Sequence, residues 1–185
     1  MDIEYSTALI LIDMQKGFDD AAYWGGARNN PQAEEIGLRI LEKFRLSNRL
    51  VIHVQHASGL PQSLLHPSHP GFAFKDGFAP GNDEILIQKN VNSAFIGTHL
   101  HELLQEKQIN TLVIFGLTTD HCVSTTTRMA GNLGYQVYVI ADATATFDKT
   151  GINGEKFDAE LIHQTALASL NGEFAKVIQS RDILQ

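Results

Sequence analysis

The sequence predicts an α/β protein: one domain over residues 1–185, a doubly wound parallel sheet of about six strands with helices on both faces. Three observations predict it. Short, continuously apolar runs recur along the chain, the pattern of strands buried on both faces. Segments of helical period separate them, and such alternation implies a parallel sheet with right-handed crossovers. The 185 residues suit one sizeable core, and no internal repeat, low-complexity tract or linker divides them.

The elements follow in order. Ala8 to Ile12 (ALILI) is the first strand and ends at Asp13. Met14 to Asn30 is a loop carrying Phe18, Tyr23 and Trp24. Asn30-Pro31 marks a helix start, with Asn as cap and Pro at the first helical position. Ala33, Ile36, Ile40, Leu41 and Phe44 give that helix its apolar stripe. Leu50 to Gln55 is the second strand, with His53 inside it as a core histidine. Ala57 to Asp83 is a long connection rich in Gly and Pro, expected to act as a lid or subunit contact. Glu84 to Gln88 is the third strand, and Lys89 follows at once. Thr98 caps a helix bearing Leu100, Leu103 and Leu104. Leu112 to Phe115 is the fourth strand, and it stops at Gly116. A helix runs from Cys122 to about Asn132, closed by Gly134. Gln136 to Ala141 is the fifth strand. A loop, Thr144 to Gly154, precedes a helix with the stripe Phe157, Leu161, Thr165 and Ala168. Phe174 to Ile178 is the sixth strand.

Composition narrows the function. The chain is 43% hydrophobic and 19% charged, an ordinary globular balance. The net charge of -7, without a dense Lys/Arg cluster, speaks against a nucleic-acid partner. No apolar run approaches the ~20 residues of a membrane span. The start MDIEYSTALI lacks the basic residues of a secretory signal. A single cysteine, Cys122, cannot form an internal disulfide and fits a cytoplasmic location.

Three residues stand out together. In a sheet of order 3-2-1-4-5-6 the first and fourth strands are neighbours at the switch point, where ligands bind beyond the carboxyl ends. Asp13 ends the first strand, Lys89 follows the third and Cys122 lies after the fourth. An acid, a cation and a thiol then converge on one crevice. Lys89 and the following helix are expected to lower the thiol pKa from its usual ~8.5. Asp13 is suited to take the thiol proton and return it to a leaving amine. Backbone N–H groups of the Gly116–Cys122 turn are candidates for an oxyanion hole. Such parts make a cysteine hydrolase acting on a carbonyl. Phe18 and Trp24, with Phe147 behind them, are the candidate walls of a substrate pocket.

These residues also carry a resemblance. ALILIDMQ around Asp13, KNVNSAF from Lys89 to Phe95, and GLTTDHCV from Gly116 to Val123 resemble the isochorismatase-like cysteine hydrolases. That group includes nicotinamidase and N-carbamoylsarcosine amidase. TRMA and GYQVYVIADA continue the match, so that it covers nearly the whole chain. The resemblance implies the 3-2-1-4-5-6 sheet, the triad Asp13–Lys89–Cys122 and a cis peptide before Thr118. It also implies an oxyanion hole from the N–H groups of Thr118 and Cys122, and a homodimer or homotetramer.

Two departures shape the expectation. Nicotinamidases bind a metal through Asp-x-His after the second strand, whereas this chain reads Gln55-His56-Ala57-Ser58. His53, His56, His66 and His69 remain, but without that carboxylate no metal or other cofactor is expected. Enzymes cleaving the vinyl ether of isochorismate lack the nucleophilic thiol. Cys122 therefore points to hydrolysis of a small amide or ureido C–N bond through a thioester. The alternatives are a vinyl-ether hydrolase in which Cys122 is incidental, and a non-catalytic oligomeric relative.

Overall fold

The structure, a computed structural model, describes residues 4–185. Six parallel strands form one sheet in the order β3-β2-β1-β4-β5-β6. They are β1 (Thr7–Ile12), β2 (Leu50–His56), β3 (Ile85–Lys89), β4 (Thr111–Gly116), β5 (Gln136–Ile140) and β6 (Lys176–Ile178). The expected order is the observed one. Every residue of β1 and β4 is buried, as their unbroken apolar sequences require.

Alternate residues of the central strands serve two cores. Ala8, Ile10, Ile12, Ile52, Val54, Leu112 and Ile114 face one side. There they meet α2 (Leu100–Glu106), α3 (Ser124–Asn132) and α4 (Ala159–Leu170) through Leu100, Leu104, Ala130 and Leu167. Leu9, Leu11, Val51, Val113 and Phe115 face the other side, covered by Ile40, Leu41 and Phe44 of α1 (Ala33–Leu46). Gly37 lets α1 approach closely: a Cβ there would stand 2.8 Å from the Phe115 ring.

Some local expectations are corrected. Asn30 does not cap α1. Its φ is 46°, and its side-chain amide donates to the Ala141 and Thr144 carbonyls at 3.0 and 2.7 Å. Gln32 precedes the helix and makes no side-chain capping bond. The stripe Leu161, Thr165 and Ala168 lies on the outer side of α4, with Leu161 48% exposed. The inner side is Ala159, His163, Leu167 and Leu170. A small residue and a buried histidine occupy core positions there, so apolarity alone selects the wrong face. Phe157 precedes the helix, in a short antiparallel pair of Lys149–Thr150 with Lys156–Phe157. Asp158 caps α4 by accepting from Leu161 N at 2.7 Å.

The long connection after β2 is stitched to the sheet edge. The Gln15 side chain donates to the His56 and Phe72 carbonyls and accepts from His56 N. Gln55 also donates to Phe72 O at 2.9 Å. Its own Leu65 and Phe78 are buried. The segment is thus an ordered cover over the carboxyl ends of β1 and β2. Among the described residues, no helix is long and apolar enough to cross a membrane.

Candidate active site

The carboxyl ends of β1 to β4 deliver the site. In register, Ile12 lies opposite Val54 on β2 and Gly116 on β4, and His56 lies opposite Lys89. Asp13 is the first residue beyond β1, held at φ 51° with its N–H on Val54 O at 2.9 Å. Non-glycine residues seldom adopt that conformation, and they concentrate at functional sites. Gly116 must be glycine: its φ is 137°, and a Cβ would lie 2.1 Å from the Ile12 carbonyl oxygen.

Beyond Gly116 the Leu117–Thr118 peptide is cis, as the resemblance implies. Thr119–Val123 then forms one π-helical turn that leads into α3. The Thr118 carbonyl accepts from both His121 N and Val123 N, at 3.1 and 3.2 Å, and Thr119 N donates to Ala145 O. Behind the turn, Thr119 Oγ1 is 2.8 Å from Nδ1 of the buried His163. The turn carries Cys122 inward, where it is 8% exposed.

The three predicted residues meet. Lys89 Nζ donates to Asp13 Oδ2 at 2.7 Å and to Cys122 Sγ at 3.2 Å. Both charged side chains are fully buried. Among the described residues, Asp13 Oδ1 and Thr118 Oγ1 are buried and find no partner. Burial favours neutral Lys89, but Asp13 and the thiol outweigh it and hold the ammonium above its usual pKa. The thiol moves against expectation. Burial first, then the Asp13 carboxylate, push its pKa up, and Lys89 opposes them without prevailing. The resting group is therefore a thiol beside a base.

Above this cluster is a cavity of about 110 Å³, lined by Phe18, Trp24, His56, Leu65, Asn92, Thr118, His121 and Cys122. Phe18 and Trp24 stack at 4.5 Å, and Trp24 Nε1 is satisfied by Gly17 O, so this wall presents ring faces. Phe147 is fully buried and stands behind both rings at 6.4 and 6.3 Å, outside the lining. Leu65 and Asn92 come from loops and His121 from the π-helical turn, and none carries a sequence signal for a pocket wall. The sequence marks His56 only as a candidate metal ligand, and the structure sets it in the cavity wall. His53 belongs elsewhere, paired with Glu84.

Asp13, His56 and Cys122 offer three ligating atoms within 4.8 Å of one another. Lys89 Nζ contacts one atom of each of these side chains, His56 Nδ1 at 3.1 Å among them, so a buried ammonium already lies within the group.

The model of the isochorismatase domain matches residues 7–182. The chain belongs to the isochorismatase family. It is 48% identical to the family protein YrdC of Bacillus subtilis, over 98% of this chain and 96% of that one. A crystal structure of a family member from Chromobacterium violaceum superposes with a TM-score of 0.94 at 42% identity, covering 100% of this chain and 95% of the other. Streptothricin hydrolase of Streptomyces noursei is 31% identical over 76% of this chain and 50% of its own length. Hydrolysis is therefore the type of chemistry to which the family points.

Proposed function

We propose that the chain is a cysteine hydrolase that cleaves a small-molecule amide or ureido C–N bond through a thioester. The observation that carries the reading is Lys89 Nζ donating at once to Asp13 Oδ2 and Cys122 Sγ beneath the cavity. Oδ2 is occupied by Lys89, so the unpartnered Oδ1 is the oxygen left to take the thiol proton. Proton transfer and attack then occur together: Sγ bonds to the carbonyl carbon as Asp13 becomes protonated. Lys89 stabilises the negative sulfur during the transfer.

The tetrahedral oxyanion is assigned to the N–H groups of Thr118 and Cys122. Its collapse breaks the C–N bond, and the amine leaves with the proton from Asp13. Water then attacks the thioester and gives a proton to Asp13; the C–S bond breaks, the product acid leaves, and Asp13 returns the proton to sulfur, restoring thiol and carboxylate. The cavity is smaller than the ~300–1,000 Å³ of drug-sized pockets. Apart from the reacting group, Asn92, Thr118 and the two histidines are its polar lining, against the rings of Phe18 and Trp24. A small, flat, uncharged acyl group matches those walls.

A panel of small amides, carbamoyl compounds and isochorismate tests the reading, assayed for ammonia and for product acid. Ammonia release should be abolished by iodoacetamide. Turnover of isochorismate that survives alkylation would overturn the assignment and favour a vinyl-ether hydrolase. An alkylation-insensitive amidase would equally remove Cys122 as nucleophile.

A further inference from the structure

We propose that His56 is a positioning residue that completes the seat of the Lys89 ammonium and so aims that charge at Cys122. The inference rests on the reading of Asp13, Lys89 and Cys122 as the reacting group. An ammonium has three N–H donors and no acceptor. Around Lys89 Nζ there are three contacts: Asp13 Oδ2 at 2.7 Å, His56 Nδ1 at 3.1 Å and Cys122 Sγ at 3.2 Å. Each comes from a different part of the fold, namely the end of β1, the end of β2 and the turn after β4. The three hydrogens are all placed, and at a fully buried nitrogen none can be left to water.

The imidazole state follows from the donor. Because the ammonium can only donate, Nδ1 must accept, so the His56 proton is on Nε2. Burial and the Lys89 charge both disfavour a protonated ring, while the Asp13 carboxylate and the Val91 carbonyl beside it oppose them weakly. Neutral His56 is thus the one acceptor in the trio that does not take part in bond making. Asp13 changes protonation and Cys122 changes bonding through the cycle, and each change alters the pull on Lys89. A fixed third acceptor holds the ammonium between them. His56 is also anchored by its backbone, since Gln15 pins both its N–H and its carbonyl.

Asparagine and leucine have nearly the same shape, but only asparagine offers an acceptor where Nδ1 stands. Cys122 is the sole cysteine, so intact-protein alkylation reports on it alone. The groups facing it are Asp13 and Lys89, with His121 at the cavity wall. At one fixed alkaline pH, His56→Leu should alkylate about tenfold more slowly, the equivalent of a one-unit rise in thiol pKa. His56→Asn should stay within about twofold of wild type. Equal rates for His56→Leu and wild type, or an asparagine variant as slow as the leucine one, would overturn the proposal. Nitrogen NMR of the wild-type protein decides even where His56→Leu fails to fold: Nε2 should carry the proton, and a proton on Nδ1 refutes the arrangement. Neither readout needs turnover. A Cys122→Ala protein with full activity would remove the functional reading while leaving these measurements decisive for His56.

Discussion

Lys89→Met removes the buried cation and keeps most of its volume. At 2.7 Å the attraction between Lys89 and Asp13 is roughly 6 kcal/mol with an effective dielectric near 20, before the cost of desolvating both groups. The substitution leaves the Asp13 carboxylate inside the protein with Oδ1 already unpartnered and Oδ2 newly so. Breaking a buried pair in this way destabilises by about 3–5 kcal/mol. For a chain of this size that is a fall of roughly 6–20 °C in Tm. Asp13→Asn should also destabilise, because Lys89 then loses its counter-charge. The double variant Asp13→Asn/Lys89→Met contains neither buried charge. It should be more stable than the sum of the singles by about 2–3 kcal/mol, although all three lack activity. Denaturant unfolding of the four proteins measures the cycle. Additivity within ~0.5 kcal/mol would refute the reading that the two charges are coupled as a buried pair.

Cys122→Ala should lower kcat/KM at least about 10³-fold with an unchanged circular dichroism spectrum, because no other thiol can replace it. Gly116→Ala places a methyl 2.1 Å from the Ile12 carbonyl at φ 137°. It should cost more than ~2 kcal/mol in denaturant unfolding, and a neutral result would refute the close strand approach. Glu84 accepts from Arg45 at 2.6 and 2.8 Å and from His53 at 2.8 Å, and Arg45 foremost lowers its pKa to about 2. A lowered folded pKa stabilises above the unfolded value of ~4.3 and is lost as pH falls toward 2. Glu84→Gln should therefore lose about 1–2 kcal/mol at neutral pH, discounted for solvent at the Arg45 end, and the gap to wild type should close between these two pH values. A gap that persists to pH 2 would refute the pairing.

The meeting of Asp13, Lys89 and Cys122 was legible because strand ends are legible. An apolar run that stops at a charged residue marks the sheet edge, and parallel topology carries all such ends to one side. Asp13 and Lys89 followed from that rule. His56 obeys the same rule, for it closes β2 as Lys89 closes β3, and extending the second strand by one residue would have found it. The walls at Leu65, Asn92 and His121 were not legible in this way. Leu65 lies in the connection held by scattered contacts such as Gln15 with Phe72, and His121 in a single π-helical turn, neither set by period. The thiol pKa was read with the wrong sign for a related reason. Sequence shows which charges are near but not how deeply the group is buried, and depth decides the balance here.

Burial also bears on metal dependence. Oxygen, nitrogen and sulfur ligands of zinc lie at ~2.0–2.3 Å from the ion. An ion bound by Asp13, His56 and Cys122 would have to stand within that reach of all three. Lys89 Nζ already contacts one atom of each at 2.7, 3.1 and 3.2 Å. A second cation beside it would be repelled by the ammonium. A metal taking those contact atoms would require Lys89 to leave a fully buried position and give up three hydrogen bonds. Activity should therefore be unchanged after exhaustive chelation, and added Zn²⁺ should inhibit by displacing Lys89 and capturing the thiol. Lys89→Met should bind Zn²⁺ more tightly than wild type, measured by calorimetry on the intact protein. Activity that is lost on chelation and restored by metal would refute the assignment of this position to an ammonium.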